Sequence, residues 1–182
     1  MKFPSVTRVL GVFADFSRIP PHVLNHAAAR GTKVHAACSA IAKGLWCPPQ
    51  EPEVQPYVDS FRRWFDRYVE SVSAVEVELV DEKLGFCGHP DLICRIKGDK
   101  WDELTVVDLK TPATKNRLWS AQLAAYRHLA ETEIDPPKRT ASLRLRKDGS
   151  RALFDEYEDQ ARDLAAFLSA LNAVRWFGEV NA

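Results

Sequence analysis

Two acidic residues and a lysine are the side chains of this chain that could do chemistry together. Asp108 and Lys110 interrupt the short apolar run of Val106, Val107 and Leu109. Because side chains alternate along a strand, Asp108 and Lys110 point to one face. A carboxylate and an ammonium on an otherwise buried strand are unfavourable unless each has a partner or a function. A divalent metal ion beside Asp108 would supply one.

A second carboxylate, Asp91, follows Pro90 in a strand-like run in which Gly88 allows a backbone or a ligand to approach closely. The pattern predicts an antiparallel hairpin of residues 86–96 and 103–110, which would bring Asp91 next to Asp108. Clustered carboxylates repel one another, and hard divalent cations with oxygen ligands relieve that repulsion. We therefore expect one or two Mg²⁺ or Mn²⁺ ions rather than zinc.

Pro90-Asp91 followed by Asp108-Leu109-Lys110 resembles the signature of the PD-(D/E)XK nuclease superfamily, a metal-dependent phosphodiesterase core. The resemblance implies a restriction-endonuclease-like α/β fold, with a central mixed β-sheet flanked by helices. It also implies that the backbone carbonyl of Leu109 is an additional metal ligand.

Gln122 and Tyr126, four residues apart on one helical face, resemble the QxxxY motif of the RecB-like and lambda-exonuclease-like branch. This resemblance implies contacts to the DNA backbone or the scissile nucleotide, whereas the alternative is a hydrogen-bonded core pair. Lys115 and Arg117, in the polar loop before this helix, are further expected nucleic-acid contacts.

The segment from Arg30 to His35 resembles an upstream motif of RecB-like nucleases, in which a glycine-threonine turn leads into a helix with a metal-contacting histidine. The resemblance makes His35 a metal ligand and Arg30 and Thr32 nucleic-acid contacts. Thr32 is also a good N-cap for a helix that contains His35. Without the other motifs, His35 would be an ordinary surface or core histidine.

Glu76 completes the expected ligand set. Residues 74–80 alternate in the manner of a strand with Glu76 and Glu78 on one face. In the RecB-like pattern a glutamate lies about a dozen residues before the glycine of GxxD, and Glu76 lies twelve before Gly88 (88 − 76). Glu76 is thus the preferred metal ligand and Glu78 the second candidate; a solvated strand face is the alternative.

The roles follow from phosphodiester hydrolysis. Asp91, Asp108 and Glu76 would hold metal, and Lys110 would orient the attacking water and offset negative charge in the transition state. The alternative for Asp108 and Lys110 is a structural salt bridge.

The periodicity of apolar residues predicts the helices and strands that position these residues. Residues 1–20 are a strand or an irregular lead-in, and residues 44–56 are a proline-rich loop. The apolar spacing predicts two helices or one bent helix over residues 22–43, with the interruption near Gly31 and Thr32. It also predicts helices over residues 54–72, 119–130 and 156–176, and a strand over 141–145. We expect one nuclease domain over residues 1–182, with its core motifs in residues 30–130 and a C-terminal strand region and helix in residues 138–177.

Composition sets outer limits. Twenty-five Lys and Arg balance twenty-five Asp and Glu, so the net charge does not indicate a nucleic-acid-binding protein. The four cysteines contain no CxxC pair, which favours reduced core thiols over zinc. Some RecB-like nucleases carry an iron–sulfur cluster on one upstream cysteine and three near the C-terminus, but this chain has no cysteine after Cys94. Without a signal peptide, a membrane span or a P-loop, we expect a cytoplasmic protein that needs no nucleotide cofactor.

The expected function is a metal-dependent exonuclease that hydrolyses DNA at its ends in recombination, repair or phage DNA processing. A structure-selective endonuclease, a non-catalytic DNA-binding module with the same fold and an RNA-directed nuclease are the alternatives. A homo-oligomer or a recombination protein as partner stays open. The basic segment of residues 138–151 is either a phosphate-tracking surface or a solvated edge strand.

Overall fold

The order of helices and strands is given by a computed structural model, which describes residues 3–97, 103–133 and 135–178. The elements are α1 (Val6–Gly11), α2 (Pro21–Ala42), α3 (Gln55–Tyr68), β1 (Val69–Val75), β2 (Leu79–Asp81), β3 (Phe86–Gly88), β4 (Leu92–Ile96), β5 (Leu104–Lys110), α4 (Leu118–Glu133), β6 (Arg139–Arg144), β7 (Leu153–Tyr157) and α5 (Gln160–Gly178).

A five-stranded mixed sheet of order β1-β4-β5-β6-β7 forms the centre of the fold. Strands β5 and β6 are parallel and are joined by α4, whereas the other neighbouring pairs are antiparallel. Strands β2 and β3 form a separate two-stranded sheet. The predicted fold class, an α/β fold with a mixed sheet flanked by helices, is confirmed.

Strand β5 is buried on both faces because each face is covered by helices. Val107 and Leu109 pack in the core beneath α2 and α3, and Val106 packs in the core beneath α1, α4 and α5. The predicted aromatic stripe of α3 belongs to the first core, with Phe61 and Trp64 at most 2% exposed. Burial of each such side chain contributes roughly 1.5–3 kcal/mol to folding.

Two expectations for the N-terminal third are wrong. Part of residues 1–20 forms the short helix α1, capped by the Ser5 hydroxyl, which accepts from the Arg8 N–H. Helix α2 continues through Gly31 and Thr32 as a single helix, so the alternative of two separate helices is wrong. Thr32 does not cap a helix, because its hydroxyl donates to the Ala28 carbonyl one turn earlier, as an interior threonine can.

The predicted helix over residues 54–72 ends at Tyr68, and the predicted strand over residues 74–80 is interrupted. Val69 and the residues after it pair with β4 as strand β1, so tertiary pairing overrides the helical spacing. Glu76, with φ of 51°, turns the chain out of the sheet before β2 begins at Leu79. Glu76 and Glu78 therefore do not share one strand face.

The expected strand of residues 86–96 is two strands, β3 and β4, separated at Pro90, which has no N–H to donate. The predicted antiparallel pairing of β4 with β5 is confirmed, with Leu92 opposite Val107, and the expected turn at Gly98-Asp99 lies outside the described residues. Strand β7 was not predicted. The last helix accordingly begins at Gln160 rather than at residue 156.

All four cysteines are free thiols, and Cys38 and Cys94 are buried. No helix in the described part of the chain is both long and apolar enough to cross a membrane.

Candidate active site

Two of the three predicted acidic residues, Asp91 and Asp108, meet at one end of the central sheet. Asp91 directly precedes β4, and Asp108 lies near the end of β5. Since these strands are antiparallel, the start of β4 lies beside the end of β5. The Asp91 Oδ2 oxygen accepts a 2.7 Å hydrogen bond from the backbone N–H of Leu109, which fixes the carboxylate against β5.

Asp108 and Lys110 share the face of β5 that α4 covers, as their spacing predicts. Their side chains form an ion pair and are only 4% and 15% exposed. Gln122 on α4 connects them, because its Oε1 accepts from Lys110 Nζ at 2.8 Å and its Nε2 donates to Asp108 Oδ1 at 3.3 Å. The ammonium also lies 5.5 Å from the centre of the Trp119 ring. Lys110 is thereby held in one place.

Tyr126 lies one turn beyond Gln122 and accepts a 3.1 Å hydrogen bond from Gln122 Nε2 at its hydroxyl. Its ring packs against Gly88, where a Cβ atom would lie 2.6 Å from Tyr126 Cε1. Gly88 is therefore required for the close approach expected there, and the group that approaches is the Tyr126 ring.

His35 reaches the site from α2, on the other side of the sheet. Its Nδ1 lies 2.9 Å from Asp91 Oδ1, and about a third of its side chain is exposed. Burial disfavours the charged imidazole, but the hydrogen bond and negative charge of Asp91 outweigh that effect and raise the pKa of His35. His35 and Leu109 thus each hold one oxygen of Asp91.

These side chains line one open cavity of about 370 Å³. The wall contains the predicted residues His35, Asp91, Asp108, Leu109, Lys110, Gln122 and Tyr126. It also contains residues that the sequence reasoning missed: Ser5, Thr7, His89, Thr111 and Pro112. For Ser5 a signal existed, because a serine before the apolar spacing of Val6, Val9 and Leu10 is a typical helix start.

Burial raises the pKa of Asp108 above the ordinary carboxyl value, and Asp91 adds to this effect, while the Lys110 ammonium opposes it.

A family model of the PD-(D/E)XK nuclease superfamily matches residues 23–181. The chain belongs to this superfamily. No curated protein sequence gives a significant match.

Members of the PD-(D/E)XK nuclease superfamily are typically metal-dependent nucleases, and such a fold implies DNA as the substrate. The donor set here fits a hard divalent cation, because two carboxylates and an imidazole face one cavity. The buried Asp108 Oδ2 oxygen has no hydrogen-bond partner among the described residues, and its charge is compensated by the ion pair with Lys110. Within residues 3–97, 103–133 and 135–178, no three acidic, histidine or cysteine side chains are already arranged as metal ligands.

Glu76 does not line the cavity of this PD-(D/E)XK site. Its Oε2 accepts a 3.0 Å hydrogen bond from Ser39 and lies 3.8 Å from Lys43 Nζ. Glu76 borders a small adjoining cavity that shares His35, Asp91 and Leu109 with the main one. Glu78, the second candidate, lies 3.9 Å from His89.

The expected nucleic-acid contacts outside the PD-(D/E)XK motifs do not line the cavity either. Arg30 donates to Glu53 at 2.8 Å, and Lys115 lies 2.6 Å from Asp155. Thr32 and Arg117 are exposed. Their DNA contacts stay predictions.

In the basic segment of residues 138–151, Arg139 pairs with Glu156 and Arg144 with Asp155 across β6 and β7. These two arginines are therefore compensated within the fold.

Proposed function

We propose that this PD-(D/E)XK protein is a metal-dependent deoxyribonuclease that removes nucleotides from DNA ends, in recombination, repair or phage DNA processing. The observation that carries the proposal is the meeting of Asp91, Asp108 and Lys110 in one cavity, each held by a second protein group. A salt bridge that served stability alone would not need a cavity beside it.

Asp91, Asp108 and His35, with the carbonyl of Leu109, are the residues that would hold one or two Mg²⁺ or Mn²⁺ ions. When bound, the cation supplies Lewis acidity and neutralises charge on the scissile phosphate. Glu76 is a further candidate ligand, at the adjoining cavity. To join the same ion, its carboxylate would have to leave Ser39.

Lys110 is the group that would meet the reacting phosphate. Its ammonium, fixed by Asp108 and Gln122, can donate to the attacking water and to the phosphate oxygens on which negative charge develops. Gln122 positions Lys110 and Asp108 together, and Tyr126 in turn accepts from Gln122. Substitution of Gln122 would therefore disturb both groups.

The size of the cavity supports action at an end or on a single strand. A volume of about 370 Å³ lies at the lower end of the range for pockets that hold one small ligand. Such a cavity matches one nucleotide at a time. The RecB-like resemblance of Gln122 and Tyr126 supports the same choice.

A DNA-binding module without catalysis is the second candidate, and one observation favours it. The ion pair between Asp108 and Lys110 already compensates both charges without a metal ion. The site could therefore persist in a protein that never cleaves.

The test is digestion of end-labelled linear single-stranded DNA, linear duplex DNA and a closed circle, each with Mg²⁺, Mn²⁺ or EDTA. Wild type and Lys110→Ala are compared, with Lys83→Ala as a control that removes an exposed lysine outside the cavity and outside the basic segment of residues 138–151. We expect linear DNA alone to be degraded, only with metal, and not by Lys110→Ala.

Cleavage of the circle would replace the exonuclease by an endonuclease. DNA binding without metal-dependent cleavage of any DNA would overturn the enzymatic proposal in favour of the binding module. Equal activity of Lys110→Ala and wild type would exclude the role given to Lys110.

A further inference from the structure

Residues 8–34 connect two parts of the cavity wall, and the residues on either side of this segment, Thr7 and His35, line the cavity. Ser5 and Thr7 line one wall, and His35 lines the other. Between them the chain leaves α1, crosses from one layer of helices to the other and returns along α2. Pro21, the first residue of α2, lies about 20 Å along the helix from His35, since the rise is about 1.5 Å per residue.

Residues 12–23, which connect α1 to α2 and include the first residues of α2, are here named the arm. Its large apolar side chains are exposed: Val12 67%, Phe13 51%, Phe16 47%, Ile19 40% and Val23 46%. The described residues contain eleven exposed large hydrophobic side chains, and five of them lie in these twelve positions. Such a cluster of exposed apolar side chains indicates a binding surface.

The charge around the arm indicates what it binds. Arg8 and Arg18 are exposed and form no ion pair within the described ranges 3–97, 103–133 and 135–178. Asp15 is the only acidic residue between Ser5 and Arg30, and its carboxylate accepts the N–H of Ser17. The surface therefore offers aromatic rings and positive charge that forms no ion pair among the described residues, in a chain whose net charge is zero. Its first residue, Val12, lies about 8 Å along α1 from Thr7 in the cavity wall.

We propose that the arm binds the unpaired bases of single-stranded DNA that leads into the cavity. Phe13 and Phe16 stack on bases, and Arg8 and Arg18 contact phosphates. A duplex keeps its base faces stacked, so this surface selects a single strand. The inference rests on the proposed function for the class of substrate, and it adds the strand preference and the residues responsible for it.

The test measures binding in EDTA, so that it does not depend on cleavage. Two labelled oligonucleotides of about 20 nucleotides are compared by fluorescence anisotropy. One carries normal bases, and the other carries abasic sites at every position and therefore has the same length and charge. The variants are Phe13→Ala/Phe16→Ala and, as a control, Trp46→Ala, which removes an 82% exposed aromatic ring. Trp46 follows the end of α2 opposite to the arm, and this helix is about 30 Å long.

We expect wild type to bind the normal oligonucleotide at least about fivefold more tightly than the abasic one for each ring that stacks. Phe13→Ala/Phe16→Ala should bind both oligonucleotides equally, whereas Trp46→Ala should behave as wild type. Equal affinity of wild type for the two oligonucleotides, or unchanged preference in the double variant, would overturn the inference. A wild-type dimer in light scattering that becomes monomeric in the double variant would assign the arm to self-association instead.

The phosphate contacts are tested separately by the dependence of affinity on salt. Arg18→Gln should reduce the slope of log K against log salt by about 0.7, the value for one phosphate contact on a single strand. Arg162→Gln, which removes one charge from the exposed side of α5, should leave the slope unchanged. An unchanged slope for Arg18→Gln would remove Arg18 from the interface.

Failure of the arm and failure of the proposed function can be told apart. If wild type degrades DNA with metal and the arm variants bind as wild type does, only the inference about the arm fails. If wild type prefers normal to abasic oligonucleotides through the two phenylalanines but cleaves no DNA, the arm stands and the enzymatic function fails.

Discussion

Two histidine–aspartate pairs of nearly equal length lie in different regions of the molecule. His35 Nδ1 lies 2.9 Å from Asp91 Oδ1 at the cavity, and His128 Nε2 lies 2.8 Å from Asp81 Oδ2 beside the small sheet of β2 and β3. The geometry of the two pairs alone does not distinguish a functional site from a structural one.

In the pair of His128 and Asp81, the second carboxylate oxygen and the face of the imidazole ring are also in contact with protein groups. Asp81 Oδ1 accepts the backbone N–H groups of Lys83 and Leu84, at 2.9 and 2.8 Å. The His128 ring stacks on Phe86, with 6.1 Å between ring centres. The pair thus closes the turn between β2 and β3 and attaches it to α4.

The pair of His35 and Asp91 differs in its neighbours. Asp108 lies close enough to influence His35 electrostatically, and both carboxylates line the cavity. A buried and a half-buried carboxylate beside open space favour a cation, whereas a single carboxylate surrounded by N–H donors is already satisfied. A second carboxylate and access to solvent therefore distinguish the candidate site from the structural pair.

The largest effect expected from this comparison is that of Asp108→Asn. The substitution removes the buried charge at nearly constant shape, and we expect metal-dependent cleavage of labelled linear DNA to fall by about a thousandfold or more. Asp81→Asn, which removes a buried charge from the other pair, should retain cleavage within about threefold of wild type at a temperature where it is folded.

Circular dichroism and thermal unfolding show whether each of these variants is folded. If a folded Asp108→Asn protein cleaved DNA at the wild-type rate, the site would lie elsewhere. If Asp81→Asn lost as much activity as Asp108→Asn while folded, the distinction between the two pairs would fail.

A smaller effect is expected for the histidines. His35→Ala should weaken Mn²⁺ binding in calorimetric titration by about 10- to 100-fold, since it removes a candidate ligand and a partner that orients Asp91. His128→Ala should leave Mn²⁺ affinity unchanged and lower the free energy of unfolding by about 1–3 kcal/mol, because the buried Asp81 loses its partner. Equal Mn²⁺ affinities of wild type and His35→Ala would remove His35 from the ligand set.

The sequence predicted the part of the fold that rests on local pattern. The antiparallel β4–β5 pairing and the buried stripe of α3 follow from alternation and helical spacing. Strand β7 was missed although Leu153 pairs with Arg144 only nine positions earlier (153 − 144), because residues 153–157 do not alternate between apolar and polar side chains. The end of α3 was missed because Val69 becomes a strand residue only through its partner Ile96, which is remote in sequence. Non-local pairing of this kind leaves little trace in a short segment.

The candidate site was likewise predicted where it rests on local motifs and missed elsewhere. Asp91, Asp108, Lys110, Gln122 and Tyr126 meet as their motifs predict. The turn at Glu76 was missed, because the alternation of residues 74–80 does not reveal a positive φ at that position.

The pair of Asp81 and His128 was missed for a related reason. The two residues are 47 positions apart and belong to no motif. Only the packing of α4 against β2 brings such residues together, and single-sequence periodicity carries no information about it.

The smallest expected effect is the pH dependence of the structural pair. Burial alone would raise the pKa of Asp81, but the N–H of Leu84 and the hydrogen bond with His128 outweigh burial and lower that pKa. A lowered pKa means that the stabilisation is fully present above the pKa of the unfolded carboxyl, about 4, and is lost as pH falls through the folded value.

The Tm of wild type should thus exceed that of Asp81→Asn near pH 7 by about 2–4 °C for each kcal/mol of unfolding free energy that the charge contributes, and this gap in Tm should narrow below about pH 4. Thermal unfolding followed by circular dichroism from neutral to acidic pH measures this gap, with the exposed Glu78→Gln variant as control. A gap of constant size down to about pH 2 would mean that the shape of Asp81, and not its charge, stabilises the β2–β3 turn.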